Sequence, residues 1–386
     1  MMTNSKITLK GLVYALFAVL AVWIGFKLWD FDAAGNGFIL GDWLVNYQDG
    51  GFKRRGLSGS ILFWLQDLTG ISLTQMIYGI QMLLHLSILY FIFKTLKNKQ
   101  ISLLFFTLII SPLAFLMYFN DPAIVGRKEL IFICIFTYYI TQLYQKKLTL
   151  NKEIFIYSAL VIATFLHEIT VFYVPYFVLA HYIIVGELDL KRYFLFFAAV
   201  GIPAALIFFL GGQTNEGQTL EILLSRGVEL EPYSIFSFSN DLWVQFDKYK
   251  ANMLGYALFV PSMIIGLVHF GIYLRQEAQL KDAKVIWYFL AIILYSLPLF
   301  VLACDWGRWL NIHFTLLLFI LMIKLPEIHQ EQKKSKAIIP FLGRNLQYFL
   351  LILFLGIWSV RHFSAGLSYR GVITTAIWNL YDIILG

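Results

Sequence analysis

Charged residues are scarce in this chain: they make up 14% of its 386 residues, whereas 59% are hydrophobic. A soluble globular domain has about a quarter charged residues, so the composition excludes that class. It predicts an all-α, polytopic membrane helix bundle. The 30 lysines and arginines give a formal net charge of +7. They lie mostly between apolar runs, where they indicate membrane topology and not binding to nucleic acid.

Cysteines and the common cofactor motifs are also lacking. The two cysteines, Cys134 and Cys304, give neither a disulfide framework nor a metal-ligand spacing. The sequence has no Walker phosphate-binding loop, no dinucleotide-binding glycine fingerprint and no HExxH metal motif. We therefore expect no cofactor. The sequence does not decide whether a divalent metal ion takes part. No small-residue cleavage site follows the first apolar run, so we keep that run as a membrane span.

Apolar runs predict about eleven membrane spans. Residues 57–66 are apolar but too short to cross a membrane, so they predict an interfacial or re-entrant helix. The tract 154–186 is interrupted at His167 and Glu168, and we count it as two short helices. The other nine runs are 10–29, 71–93, 101–119, 129–145, 193–211, 253–274, 285–303, 309–324 and 348–363.

The distribution of basic residues predicts a cytoplasmic N-terminus and an outward C-terminus. In that orientation the inner segments hold 18 basic and 7 acidic residues, and the outer segments hold 12 basic and 16 acidic residues. This bias follows the positive-inside rule. We expect a single integral membrane domain over 1–386, with an outer loop at 30–66 that includes the interfacial helix and a larger outer loop at 212–251.

Residues 42–59, DWLVNYQDGGFKRRGLSG, concentrate charge between apolar segments. They hold the carboxylates Asp42 and Asp49, four glycines and the cations Lys53, Arg54 and Arg55. Arginine binds phosphate oxygens through two parallel contacts, and glycine lets backbone amides approach an anion. The stretch therefore predicts a site for a phosphate-bearing molecule beside an acid–base carboxylate. The alternative is a topogenic basic cluster, which belongs on the inner side and is disfavoured by the predicted orientation.

Three further outer segments bring charged side chains to the same level of the membrane, and ionisable residues there are candidates for function. The alternatives are structural: Asp121 caps a helix, Asp305 and Arg308 pair across a turn, and His167 with Glu168 locks two short helices. Our candidate catalytic residues are Asp42, Asp49, His167 and Glu168. Our candidate substrate-binding residues are Lys53, Arg54, Arg55, Asp121, Arg127, Lys128, Arg226, Asp305 and Arg308.

The charged loop after the first span resembles that of the multi-spanning glycosyltransferases that use polyprenyl-linked donors, the GT-C class. The length, the number of spans, the single larger outer loop and the outward arginines resemble those of bacterial O-antigen and capsule repeat-unit polymerases. In the first family the match falls on Asp42 or Asp49. In the second, the arginines contact the donor pyrophosphate, and the candidates here are Arg54, Arg55, Arg127, Arg226 and Arg308.

This resemblance implies a membrane glycosyltransferase or polymerase for cell-surface polysaccharide. Its substrates would be a polyprenyl (di)phosphate-linked sugar donor and a glycan acceptor at the outer face of the bacterial cytoplasmic membrane. The chain departs from the polymerases in its larger outer loop, which is net acidic and not rich in arginine. No nucleic acid is expected as a partner.

Three other classes fit parts of the pattern. A flippase or transporter of lipid-linked oligosaccharide also needs outward cations, but transporters often carry paired interrupted helices, and only one interruption is evident here. An acyltransferase would use His167 and Glu168 as base and partner, yet no inward-facing histidine motif is present to meet a cytoplasmic acyl donor. A structural scaffold gives no reason for so many outward arginines.

Overall fold

The computed structural model describes residues 3–34, 37–212, 214–230, 242–277, 284–328 and 340–367, together with residues 374, 377 and 381. The described part is mostly helical, so the prediction of an all-α membrane protein is confirmed. Within it, six helices are long and apolar enough to cross a membrane: Leu9–Phe31, Leu73–Leu96, Leu190–Leu210, Met253–Arg275, Lys284–Leu302 and Trp306–Lys324.

The first twelve helices are α1 (Thr3–Ala34), α2 (Gly37–Leu44), α3 (Gly56–Thr69), α4 (Leu73–Leu96), α5 (Leu103–Ile109), α6 (Met117–Asn120), α7 (Glu129–Tyr144), α8 (Leu150–Leu166), α9 (Thr170–Tyr173), α10 (Pro175–Val185), α11 (Leu190–Leu210) and α12 (Glu216–Ser225). The remaining elements are α13 (Leu242–Ala251), α14 (Met253–Ala257), α15 (Phe259–Gln276), α16 (Lys284–Tyr295), α17 (Leu297–Leu302), α18 (Trp306–Lys324), α19 (Pro340–Gly356), β1 (Trp358–Val360) and β2 (Ala365–Leu367).

Contacts group the chain into two compact units. Unit 1 comprises residues 1–23, 92–124 and 243–386, and unit 2 comprises residues 24–91 and 125–242. The sequence predicted a single membrane domain, and that stays a prediction. Of the larger outer loop expected at 212–251, residues 213 and 231–241 lie outside the described residues, and the rest includes α12 and α13.

Unit 2 is held together by packing among α7, α8, α10 and α11. Four aromatic side chains form its centre: Phe177 lies 5.3 Å from Phe136, 4.9 Å from Tyr139 and 5.0 Å from Phe196, measured between ring centroids. All four are buried. Tilted and edge-to-face rings at these distances stabilise a core beyond the burial of their area. Two of these helices end among the charged residues described below, because α7 begins at Glu129 and α8 ends just before His167.

In unit 1, α18 is the most enclosed helix, with 94% of its candidate span buried. It packs on α15 and α17, and its first turn meets the hairpin formed by β1 and β2. The Gly307 N–H donates to the His362 carbonyl over 2.9 Å. A Cβ atom at Gly307 would lie 1.9 Å from the Arg361 carbonyl oxygen, so only glycine permits this close approach.

Some of the individual helices and spans predicted from the sequence are confirmed, and others were wrong. The short helix at 57–66 is confirmed as α3, and the interruption of 154–186 is confirmed because α8 ends at Leu166 and α9 begins at Thr170. A continuous span over 101–119 was wrong: α5 ends at Ile109, and Pro112, which lacks an N–H, lies in the turns that follow. The span expected at 348–363 was also wrong, because α19 ends at Gly356 and the chain continues into β1.

Candidate functional site

Close packing of α2 on α3 places the charged loop between them. The Gly59 N–H donates to the Val45 carbonyl over 3.0 Å, and a Cβ atom at Gly59 would lie 2.4 Å from that oxygen. Arg55 directly precedes α3 and has φ of +61°, a left-handed conformation that is uncommon for a residue other than glycine. A sparsely populated conformation of this kind persists only where the surrounding contacts hold it.

Those contacts are ion pairs with two carboxylates. Arg55 Nη1 donates to Asp42 Oδ1 over 2.7 Å. Its Nε and Nη2 donate to Glu168 Oε2 and Oε1 over 3.0 and 2.8 Å. Two parallel bonds to one carboxylate are the strongest arrangement available to an arginine. Arg55 therefore joins α2 to the break between α8 and α9. Glu168, in this break, follows Arg55 by 113 residues.

Arg54 reaches the same carboxylate from the solvent side. Its Nε donates to Glu168 Oε1 over 2.8 Å, and its Nη2 contacts the same oxygen. The Arg54 side chain is 44% exposed and the Glu168 side chain 22%, whereas the Arg55 side chain is only 6% exposed. The edge formed by Arg54 and Glu168 is thus the accessible part of this cluster.

Lys128 forms the buried end of the cluster. Its Nζ donates to Ser58 Oγ over 2.9 Å and lies 3.8 Å from Asp42 Oδ1. The ammonium group also lies 5.7 Å from the centre of the Trp43 ring, within the range of a cation–π contact. A buried ammonium needs such partners because it has lost its hydration.

The turn that carries Arg127 and Lys128 is fixed by α2 and α4. Trp43 Nε1 donates to the Gly126 carbonyl over 3.4 Å, and Gln81 Nε2 donates to the same oxygen. A Cβ atom at Gly126 would lie 2.4 Å from Ile39 Cδ1, so the turn passes close to α2. Arg127 is half-buried here.

His167 and Glu129 complete the cluster. His167 Nδ1 accepts a hydrogen bond from the Ile169 N–H over 3.3 Å, so in a neutral ring the proton resides on Nε2. That nitrogen lies 3.8 Å from Glu129 Oε1, and both side chains are buried. A hydrogen bond between the hydroxyls of Thr164 and Thr170, 2.7 Å apart, connects the two sides of the break between α8 and α9.

The electrostatics of the cluster follow from burial and from its surplus of positive charge. Burial alone would raise the pKa of Asp42, but the charges of Lys128 and Arg55 outweigh it and hold this pKa below its usual range. The Glu168 carboxylate is likewise paired with two cations, Arg54 and Arg55.

Burial alone would lower the pKa of Arg55, but the charges of Glu168 and Asp42 outweigh it and hold this pKa above its usual range. Burial lowers the pKa of the Lys128 ammonium to about 8, against the opposing charge of Asp42. His167 is buried and lies within reach of the Arg55 charge, which disfavours a further positive charge on its ring. The cluster thus sets the cations Arg54, Arg55 and Lys128, together with the charge of Arg127 that acts on Asp42, against three carboxylates: Asp42, Glu129 and Glu168.

Asp49 and Lys53 belong to a second, separate pair. Asp49 Oδ1 contacts Lys53 Nζ and its Oδ2 contacts the Thr219 hydroxyl, and all three residues are buried. The Gly212 N–H also donates to the Phe52 carbonyl over 2.9 Å. These contacts fasten the segment that includes α12 to the loop before α3, so the pair has a structural role whatever else it does.

Arg226 lies at the far end of α3 from Arg55. Its Nη1 and Nη2 donate to Asp67 Oδ1 and Oδ2 over 2.8 and 3.3 Å, and its guanidinium lies 4.3 Å from the centre of the Phe63 ring. Asp67 follows Arg55 by twelve residues, which is about 18 Å along a helix. The structure therefore does not bring Arg226 to the cluster around Arg55.

The other predicted residues lie in unit 1. Asp121 Oδ1 accepts from the Ala123 N–H over 3.2 Å, which is the helix-start contact expected at the sequence level. Its Oδ2 accepts from the His362 N–H over 2.6 Å and contacts His362 Nδ1. Arg308 Nη2 lies 2.8 Å from Asp305 Oδ2, so the pairing across a turn is confirmed.

Sequence reasoning missed Ser58, Glu129, Thr219 and His362. A serine or threonine in an apolar chain carries no charge signal, and Glu129 directly follows Lys128 at the start of an apolar run. The available clue was the run Gly126-Arg127-Lys128-Glu129, which places three charges at the start of an apolar helix. Among the described residues, no group of three or more His, Cys, Asp or Glu side chains is placed to hold a metal ion.

The charged cluster of unit 2, hereafter the arginine cluster, comprises Asp42, Arg54, Arg55, Arg127, Lys128, Glu129, His167 and Glu168. It presents the Arg54 guanidinium group and the Glu168 carboxylate at an accessible edge, backed by the buried Arg55 and by further buried charge of both signs. Groups of these kinds are chemically able to bind an anion and to exchange a proton beside it. Comparison with protein-family models, with curated proteins and with solved structures gives no match for the chain.

Proposed function

We propose that this membrane protein is a glycosyltransferase or polymerase for cell-surface polysaccharide, acting at the outer face of the bacterial cytoplasmic membrane. Its donor is a sugar linked to a polyprenyl (di)phosphate, and its acceptor is a glycan hydroxyl. The observation that carries the proposal is the convergence of Arg54 and Arg55 on the accessible Glu168 carboxylate. Paired guanidinium forks match phosphate oxygens in geometry and charge.

The reaction needs few components. The acceptor oxygen attacks the anomeric carbon of the donor sugar, and the bond from that carbon to the diphosphate oxygen breaks. The polyprenyl diphosphate leaves with the bonding electron pair, and Arg54 and Arg55 stabilise the charge that develops on it. A carboxylate accepts the hydroxyl proton. Holding donor and acceptor together in one groove lowers the entropic part of the barrier.

The proposal includes an arrangement of about eleven spans with a cytoplasmic N-terminus and an outward C-terminus. In this arrangement the loop with Arg54 and Arg55 faces outward. With 17 residues, α8 rises only about 25 Å, less than the ~30 Å hydrocarbon core. His167 and Glu168, at its C-terminal end, then lie slightly below the outer surface, where a lipid-anchored diphosphate arrives. The segment with α12, fastened at Asp49, would help to exclude water from the reaction.

Surface-glycan length in cells tests this proposal. The variants are Arg55→Ala and Glu168→Gln, compared with Asp67→Asn at equal expression, because Asp67 forms an arginine–carboxylate pair outside the arginine cluster. We expect the first two to leave single repeat units on the carrier lipid or core and the control to make glycan of normal length. Losing the base carboxylate should slow transfer by about two to four decades.

Two results would count against the assignment. Normal glycan in both cluster variants would remove the reason for choosing an enzyme. Lipid-linked units trapped on the cytoplasmic face would instead identify a flippase, the alternative function that also needs outward cations.

A further inference from the structure

We propose that Glu168 competes with the donor diphosphate for Arg54 and Arg55, and that the diphosphate, by displacing Glu168, makes it the base for the acceptor hydroxyl. This inference rests on the proposed function and adds to it a single base and the event that activates that base. It predicts that removing a negative charge from the site strengthens anion binding and abolishes transfer.

The contacts of Glu168 are those that a diphosphate would need. Its Oε1 accepts from Arg54 Nε and Arg55 Nη2, each over 2.8 Å, and also contacts Arg54 Nη2. Its Oε2 accepts from Arg55 Nε over 3.0 Å. One carboxylate thus engages the forks of both arginines. A diphosphate brings more negative charge and more acceptor oxygens, so it can replace this partner on the same donors.

The other sequence-predicted candidates cannot serve as the base in this way. Asp42 is buried behind Arg55 and next to Lys128, and Asp49 is held by Lys53 and Thr219 in the separate pair. His167 is buried, with its Nδ1 bound to the backbone and its Nε2 toward Glu129. Glu168 alone among these four predicted residues has an accessible side chain that contacts the exposed Arg54.

Displacement changes the proton affinity of Glu168 in the direction that the reaction needs. Once its guanidinium partners bind the diphosphate, the carboxylate loses the charges that hold its proton affinity low. It then lies beside the bound donor and accepts the proton of the attacking hydroxyl, while the diphosphate departs with the electron pair of the broken bond. Before the donor binds, the same carboxylate pairs with both arginines at the edge of a buried site.

Binding of inorganic pyrophosphate to the full-length protein in lipid nanodiscs tests the competition directly. By calorimetry we expect the wild type to bind and Arg54→Ala to bind at least about tenfold more weakly. Glu168→Gln should bind about tenfold more tightly, equivalent to about 1.4 kcal/mol. Asp67→Asn removes the same charge from another arginine–carboxylate pair of unit 2, so it should bind like the wild type and control for net charge.

The outcomes separate this inference from the proposed function. If the wild type binds and Glu168→Gln binds equally or more weakly, the competition is refuted and the proposed diphosphate site stands. If neither binds, the proposed function itself fails. If Asp67→Asn gained as much affinity for pyrophosphate as Glu168→Gln, the specific competition would be refuted. The change in net charge alone would then explain the higher affinity.

Loss of folding is controlled by a second variant and a second measurement. Glu168→Asp keeps the charge but is one methylene shorter, so it should hold the two arginines less well and bind pyrophosphate more tightly than the wild type does. Pyrophosphate should raise the melting temperature of Glu168→Gln by more than that of the wild type, because a tighter ligand stabilises the folded state more. If Glu168→Gln binds pyrophosphate tightly but does not elongate glycan, Glu168 is the base. If Glu168→Gln binds pyrophosphate tightly and elongates glycan normally, Glu168 is only a counter-ion, and its role as the base is refuted.

Discussion

Arg55 connects the arginine cluster, because its three donor nitrogens reach Asp42 and Glu168 from two separate parts of the chain. Arg55→Lys keeps the charge but loses the planar fork. We expect turnover to fall about 10- to 100-fold, since one lost charge-assisted contact to a diphosphate costs about 1.5–3 kcal/mol. Glycan elongation at equal protein level measures this. Arg275→Lys, on an exposed arginine of unit 1, should change nothing; full activity of Arg55→Lys would contradict the assignment.

Lys128 gives a dependence of stability on pH. Its pKa falls from 10.5 in the unfolded chain to about 8 in the fold, so between these values the unfolded chain binds more protons. The free energy of unfolding should therefore rise with pH across this window, by up to about 3 kcal/mol. Unfolding titrations in detergent from pH 7.5 to 10.5 measure the rise. It should be absent in Lys128→Met, and an equal rise in that variant would assign it to other groups.

At the residue scale the sequence revealed charges but not their partners. The cluster of Arg54 and Arg55 stood out because charge is rare in the chain, and Glu168 stood out because it interrupts an apolar tract. Their pairing joins residues more than 110 positions apart, and no periodicity encodes such a contact. Asp49 was equally conspicuous, yet besides Lys53 of the same loop its partner is the hydroxyl of Thr219, an uncharged group 170 residues away that sequence patterns do not reveal.

The arginine cluster depends on the close packing of α2 on α3. Gly59→Ala would place a methyl group 2.4 Å from the Val45 carbonyl oxygen and 2.6 Å from that of Leu44. Because backbone must move to admit it, we expect a loss of about 1–3 kcal/mol in unfolding free energy and weaker pyrophosphate binding. Gly217→Ala, in an open position on α12, should be neutral or stabilise by up to about 1 kcal/mol. Equal stability of the two variants in a denaturant titration would refute this account of the packing.

Elements were predictable where composition alone determines them. Long apolar runs predicted α1, α4, α11, α15 and α18, and an apolar run too short to cross a membrane predicted α3. The hairpin of β1 and β2 was missed because its strands have three residues each, too few to show an alternating pattern. The break after α5 was missed because apolar residues surround Pro112 on both sides, so hydropathy shows one continuous run.

The orientation of the whole molecule can be measured at Gln48, an exposed residue of the loop before α3. Gly51 is less suitable because its φ of +89° disfavours any other residue. In a background with Cys134 and Cys304 replaced by serine, we expect Gln48→Cys to react with an impermeant maleimide in intact cells. Reaction only after permeabilisation would place this loop on the inner side and contradict the proposed topology.

The central claim is that the protein transfers sugar from a polyprenyl diphosphate, and direct transfer by the purified protein tests it best. The protein in lipid nanodiscs is incubated with carrier-lipid-linked glycans extracted from the organism that encodes it, and the products are weighed by mass spectrometry. We predict longer glycans together with free polyprenyl diphosphate for the wild type, and neither product for Arg55→Ala. Lipid-linked glycans that remain unchanged with the wild type, or that only cross the bilayer when the protein is placed in liposomes, would contradict the claim.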